Sequence, residues 1–506
     1  MSDEYKPLNL YTNFYDCASK FPDTNIYFDE QLPAFPELGL QTTYAKAHSA
    51  ILNKAFRLKE LGIKKGDKVI VYKSPKFDTY MLGVALSYLA AIPAMLSDYI
   101  PVDRMKVLNE RLENPFILYD DVTAQKCKEL NTGKLIHINE LSVAPKNTYA
   151  QDTLETNEIA YLTHTSGTTG IPKLIAHSAN SMGYRIQLQR NVLNEIDNKK
   201  GLLAFHISPV HSRFNIGICS LMCLGFEFMP IANIKKDNIL AVMEKFQPYA
   251  FETHPNNLVQ LGIIAKKYPQ AFSSIKYLHS TFDAINKGTM EIFLNCSKHK
   301  DPIFLQIYGQ SECGPTILKE HTRESIKNWN AREMGIGYPG LTQARVVDEK
   351  GNITPPNTKG NIHFNPKGLA VTYYKEEPRW NENLYGDWWD TGDYGIMDEN
   401  GVLYLYDRQV DLIENVESNL AIEDILLDKH EFLDEVVIVR DKDGKPQPVI
   451  SVAEGHEMDW DAWWASIENM PYLNKPIVMP FDNIPRTATM KVQRLRLEEE
   501  LKDVTQ

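Results

Sequence analysis

A chain of 506 residues is too long for one ordinary hydrophobic core, so a large domain, or several, plus a smaller one is expected. Its formal net charge of −12 argues against a general nucleic-acid binder and against broad attraction to an anionic membrane, and 43% hydrophobic with 24% charged residues suits a soluble globular protein. The six cysteines imply no disulfide framework; Cys219 and Cys223, in the apolar run ICSLMCLGF, read as buried thiols on one helix face. The acidic, polar MSDEYKPLNL gives no secretory signal, and the longest apolar run, Met81 to Leu96, is too short and too interrupted by Pro93 to span a bilayer. A cytoplasmic protein without a transmembrane segment is expected.

Tyr44 to Leu61 carries apolar residues at helical spacing, which Gly62 ends. Val69 to Val71 reads as a buried strand, Thr79 to Ala91 as a helix and Phe116 to Tyr119 as another strand, an alternation that predicts a parallel sheet between helices. Tyr161 to Ser178, YLTHTSGTTGIPKLIAHS, follows. There a short apolar run empties into Thr165-Ser166-Gly167-Thr168-Thr169-Gly170 and reaches Lys173. Two glycines free the backbone to turn, four hydroxyls and bared N–H groups can donate to anionic oxygens, and a lysine adds fixed positive charge, so the chemistry points to phosphate. The spacing is not that of a Walker P-loop: two residues separate the glycines, Pro172 precedes the lysine and Leu174 follows it.

The rhythm resumes with strands expected over Ala204 to Ser208, Phe226 to Met229, Ala250 to Thr253, Tyr277 to Thr281 and Ile303 to Tyr308, and with helices such as Asn238 to Phe246. Beyond about residue 340, short alternating runs and turn signals predict a small β-rich module. The tail reads as a helix near Ala421 to Asp428, strands Val436 to Val439 and Val449 to Val452, and a helix from Trp460 to Ile467. The fold class is therefore α/β: a large N-terminal domain of helix-flanked sheets over residues 1–407, with its β-rich module at about 340–407, and a small, mobile α+β domain over 408–506.

TSGTTGIPK resembles the phosphate loop of the adenylate-forming superfamily: acyl- and aryl-CoA synthetases, peptide-synthetase adenylation domains and beetle luciferases. The resemblance extends over roughly residues 40 to 500. Tyr308-Gly309-Gln310-Ser311-Glu312 is similar to the family's aromatic-Gly-x-Thr-Glu motif, Trp389-Asp390-Thr391-Gly392-Asp393 to its Thr-Gly-Asp motif, Asp407-Arg408 to its Gly/Asp-Arg pair, and Pro485 through Arg494 to its C-terminal lysine motif. Any one short match is noise; their order and separation carry the resemblance.

What this implies is ATP and Mg²⁺ as cofactors. ATP contacts are implied from Thr165, Ser166, Gly167, Thr168, Thr169, Gly170, Lys173, Asp283, Tyr308, Gly309, Ser311, Asp393 and Arg408. Glu312 would hold the metal, Tyr308 stack on adenine, Asp393 take the ribose hydroxyls, and Lys491 stabilise charge on the α-phosphate when the small domain closes. Thr165, Glu312 and Lys491 are thus the implied catalytic residues. His211 and Gly309 are implied to border the acyl pocket. Acetate-selective relatives place a tryptophan at the Gly309 position, so the glycine implies a larger acid. His211, Arg213 and Asn215 add polar contacts there or belong to a surface loop.

The expected reaction joins a small carboxylic acid to AMP with release of pyrophosphate, then transfers the acyl group to CoA or to phosphopantetheine on an acyl carrier protein. The linker departs from the family. Val410 stands at the hinge, Glu414 replaces a lysine and Glu417 replaces a glycine that makes room for pantetheine. Met490 also replaces the glycine before Lys491, and Ser280 to Ala284 lacks both glycines of a Ser-Gly-Gly-Ala element. The linker losses bear on the second half-reaction and leave two alternatives open: an adenylating enzyme with a non-thiol acceptor, and a nucleotide-binding relative without catalysis.

Overall fold

The computed structural model describes residues 5–504 except 131, 133, 166–170, 197–200, 282–284, 329, 331, 431, 454 and 487–491. Two mostly parallel sheets dominate it. The first runs Thr372–Tyr373, Leu174–Ser178, Ile159–His164, Ile92–Leu96, Lys68–Tyr72, Phe116–Tyr119, Leu135–His137, with the last five parallel. The second has a parallel core of Leu203–His206, Phe228–Pro230, Ala250–Thr253, Tyr277–Ser280 and Ile303–Gln310. Each strand expected from the sequence is present within three residues of its predicted ends.

Helices separate the sheets because their sequences are apolar enough to be covered. Phe77–Tyr88 is buried at every position, the mark of a core helix. It packs with Leu10–Lys20, Tyr44–Glu60 and Ser212–Leu224 in a core cluster that takes Val69 and Val71 from one sheet and Phe205 and Phe228 from the other. Cys219 is buried on the last of these helices and Cys223 half-buried, and all six cysteines are free thiols. Among the described residues no helix is long and apolar enough to cross a membrane.

The β-rich module is an antiparallel sheet in the order Glu333–Gly335, Leu403–Arg408, Trp388–Met397, Gly360–Pro366, Thr342–Val347, with Leu384–Tyr385 beside Trp388–Met397. Its first strand lies before residue 340, too short to stand out in the sequence. The tail forms a three-stranded sheet of Leu433–Arg440, Pro446–Val452 and Ile477–Val478 with helices Asn419–Lys429, Trp460–Ile467 and Arg494–Val504.

Antiparallel strands at the sheet edges went unpredicted, and they matter for the site. Leu174–Ser178 turns back on Ile159–His164, and Gly314–His321 turns back on Ile303–Gln310. Between them Arg185, on the helix Ala179–Ile196, is 2% exposed and is met by carbonyls: its Nε donates to Gly368 O (2.6 Å), its Nη1 to Ser311 O (3.0 Å) and its Nη2 to Glu312 O. Two glycines make room for it. A Cβ at Gly368 would lie 2.7 Å from Arg185 Cγ, and one at Gly314, where φ is +76°, would lie 3.1 Å from the same side chain. Arg185→Ala would leave three carbonyls without a charged donor in the interior; a loss of about 3 kcal/mol or more is expected, read as a lowered urea midpoint, with MgATP affinity falling alongside it. An unchanged midpoint would contradict this role.

Candidate active site

The chain enters the site on the strand Ile159–His164 and leaves on Leu174–Ser178, so the phosphate loop is the connection of an antiparallel pair. Its neck is tied twice: the Thr165 amide donates to Lys173 O (3.1 Å) and the Lys173 amide to Thr165 Oγ1 (3.2 Å). Just before it, buried His164 accepts from the Ser97 amide at Nε2 (3.2 Å) and so donates from Nδ1 to Thr165 O (2.8 Å). Residues 166–170, expected to cradle phosphate, lie outside the described residues, as do Asp283 and Lys491.

Lys173 faces a cavity of about 640 Å³. Its Nζ donates to the Tyr373 hydroxyl (2.9 Å) and lies 4.4 Å from that ring's centroid; Tyr373 in turn donates to Glu312 Oε1 (2.6 Å). Burial lowers the Lys173 pKa, against the opposing pull of the Glu312 carboxylate. Burial, then Glu312, pushes the Tyr373 phenol up, so it stays a donor. Thr165, His211, Gly309, Ser311 and Arg408 line the same cavity. Of the described residues expected to form the site, these therefore come together with Lys173 and Glu312.

Tyr308 and Asp393 border an adjoining cleft of about 280 Å³, which Gly309 and Arg408 share. The Tyr308 hydroxyl donates to Asp393 Oδ2 (2.6 Å), its ring meets Phe364 edge-on (5.2 Å between centroids), and Arg408 Nε lies 3.6 Å from Asp393 Oδ1 across paired strands. The Asp393 amide donates to Thr391 Oγ1 (3.1 Å), which fixes the carboxylate's backbone. Arg486 and Val492, which flank residues 487–491, form a bridge and line this cleft.

The structure bears on two readings of the acyl side. Gly309 borders the cavity, and a Cβ there would lie 2.2 Å from Gly314 O, so in this backbone the strand pairing is a second reason for the glycine beside the size of the acid. Arg213 and Asn215 are not in a surface loop; both are on the helix Ser212–Leu224, and Asn215 is fully buried. Arg213 pairs with both oxygens of Glu252 (2.8 Å each) and donates to Gln189 (2.9 Å), closing one wall of the cavity. Burial opposes ionisation of Glu252, but Arg213 and His279 hold its carboxyl far below the ordinary range. Burial also keeps His164 and His211, whose rings are 6.0 Å apart, low and neutral.

Tyr373, the residue linking Lys173 to Glu312, was missed, and no motif in the sequence signalled it. A triphosphate fits the donor set: Lys173 and Arg408 supply cations at the cavity, and the Asp393 carboxylate offers acceptors at the adjoining cleft. Among the described residues no group of three or more His, Cys, Asp or Glu forms a metal cage. Glu312 with phosphate oxygens and water is the arrangement that Mg²⁺ ordinarily accepts.

Glu414 and Glu417 lie at the surface, with Glu417 Oε1 3.3 Å from Lys359, and neither borders the two cavities.

A family model described as AMP-binding enzyme matches residues 14–374. A 3-amino-2-hydroxy-4-methoxybenzoate diazotase of Streptomyces cremeus is 29% identical over 96% of this chain and 94% of its own. An uncharacterized acyl–CoA ligase, YtcI, of Bacillus subtilis (strain 168) is 25% identical over 88% of each. The o-succinylbenzoate CoA synthetase MenE from Bacillus subtilis in complex with AMP superposes with a TM-score of 0.82 at 17% identity, over 98% of both chains. The same enzyme with ATP and magnesium ion gives 0.79 at 18%, over 96% of this chain and 99% of that one.

Tyr373→Phe should keep the fold and weaken MgATP about tenfold while leaving AMP affinity unchanged, because one hydrogen bond to a charged group is lost where only the longer nucleotide reaches. Calorimetric titration checks this, and equal effects on both nucleotides would contradict it.

Proposed function

The chain belongs to the AMP-binding enzyme family, whose members form adenylates, and we propose that it activates a small carboxylic acid as its acyl-adenylate and passes it to an acceptor other than CoA. The convergence of Lys173, Tyr373, Glu312 and Asp393 around connected cavities carries the first half of this reading. The carboxylate oxygen attacks the α-phosphorus, the bond to the β-phosphate oxygen breaks, and pyrophosphate leaves. Lys173 and the phosphate loop neutralise the departing charge, Asp393 holds the ribose, and Lys491 is assigned to the α-phosphate by its motif alone. Mg²⁺ bound at Glu312 would offset charge on the phosphates. The neutral His164 and His211 border the uncharged side, where the acid's carbon skeleton fits.

The linker supports the choice of acceptor. Glu414 and Glu417 stand where the family has a lysine and a glycine, and they repel CoA phosphates that pass close to this surface. A second reading is favoured by the diazotase similarity, which extends over 96% of the chain. In it ATP activates nitrous acid rather than a carboxylate. An arylamine nitrogen then attacks the nitrosyl nitrogen, AMP departs, and loss of water from the N-nitrosamine gives the diazonium.

ATP–pyrophosphate exchange across aliphatic and aromatic acids and nitrite, each with and without CoA or an aminobenzoate, separates these readings. Carboxylate-dependent exchange without thioester is expected. Nitrite-dependent exchange with an azo-coupling product would establish the second reading, thioester formation would restore a CoA ligase, and no exchange with any acid would defeat adenylation. Lys491→Ala should lower exchange by orders of magnitude with ATP binding retained; lost binding would assign that lysine another role.

A further inference from the structure

Glu376 occupies a place that suits a phosphate. It caps the short helix Glu377–Asn381, three residues after Tyr373, and its two carboxylate oxygens face two different guanidiniums. Arg111, the last residue of the helix Val102–Arg111, donates from Nη1 to Glu376 Oε2 (2.7 Å). Arg379 donates from Nη1 to Glu376 Oε1 (3.4 Å). All three border the cavity that holds Lys173 and Glu312, and the charges of Arg379 and Glu376 both act on the Lys173 ammonium. None of the three belongs to a motif used above, and the sequence gives no hint that residue 111 meets residue 376.

We propose that Arg111 and Arg379 are a clamp for the terminal phosphates of a nucleoside triphosphate and for the pyrophosphate it leaves, with Glu376 filling the clamp when they are absent. This rests on the adenylation reading. A carboxylate spanning two guanidiniums makes the same charge-assisted contacts that two phosphate oxygens make, and the planar fork of arginine serves either. Pyrophosphate brings more charge and more acceptor oxygens than one carboxylate, so it displaces Glu376. The displaced carboxylate then competes for the same donors and limits how tightly the leaving group is kept. The pair lies on the more open side of the cavity: the Arg111 and Glu376 side chains are 15% and 20% exposed and that of Arg379 is 45%. An anion therefore reaches them from solvent without rearrangement of the core.

The position of the clamp separates its effects by ligand. AMP lacks the phosphates that would reach it. ATP and pyrophosphate carry them.

The test is isothermal titration of the full chain with MgATP, magnesium pyrophosphate and AMP, for the wild type and for Arg111→Ala, Arg379→Ala and Glu376→Gln. Each arginine variant should weaken MgATP and pyrophosphate roughly tenfold, as loss of one charge-assisted contact does, and leave AMP unchanged. Glu376→Gln should move the other way and tighten pyrophosphate several-fold. If Arg111 and Glu376 only staple two elements together, all three variants will weaken every ligand in the same direction, which overturns the clamp. Arg111→Lys, which keeps the charge and the helix, should recover part of the pyrophosphate affinity and controls for folding. Wild-type protein that binds MgATP with no change in any arginine variant overturns the clamp alone. Wild-type protein that binds neither MgATP nor AMP overturns the adenylation reading and the clamp with it.

Discussion

A buried guanidinium satisfied by backbone carbonyls is the constraint on which the site depends. Arg185 gathers Ser311 O, Glu312 O and Gly368 O from two segments, and the Ala370 amide donates to the same Glu312 carbonyl (2.8 Å). Glu312 is fixed at its backbone before any ligand arrives, and its carboxylate then has one place to be, against the Tyr373 hydroxyl. Tyr373 orients Lys173, and Lys173 closes the neck of the phosphate loop with Thr165. The order of dependence runs from core to cavity, as preorganisation requires: side chains that border the cavity are held by others that do not.

The electrostatics divide the cavity along the same line. Lys173, Arg111, Arg379 and Arg408 border it in a chain whose net charge is −12, so the cationic character is local and built. The rest of the lining is neutral by a different device. His164 and His211 are kept uncharged by burial, and Arg213 is cancelled by Glu252. A molecule with an anionic head and an uncharged body matches this division.

Much of the fold and half of the site were legible because their signals are local. Strand-forming runs between helical periods survive in any context, and Glu312, just past the strand Ile303–Gln310, and Asp393, within the strand Trp388–Met397, announce themselves as carboxylates inside short motifs. Tyr373 and Arg185 do not. Their partners are 61 and 200 residues away for Tyr373 and 126 to 183 for Arg185, and neither residue carries a pattern of its own. The antiparallel edge strands were hidden for a related reason: Leu174–Ser178 reads as the continuation of a loop motif until its pairing with Ile159–His164 is known. Gly309 carries a second constraint invisible in the motif, a backbone oxygen that would lie 2.2 Å from a Cβ there.

The central claim is that an oxygen of the acid attacks the α-phosphorus of ATP. The most direct measurement uses the acid that supports exchange, labelled with ¹⁸O, in a single turnover followed by mass analysis of the nucleotide and phosphate products. One ¹⁸O in AMP and none in pyrophosphate is expected. Label in orthophosphate, with ADP as the nucleotide product, would place the attack on the γ-phosphorus and contradict it.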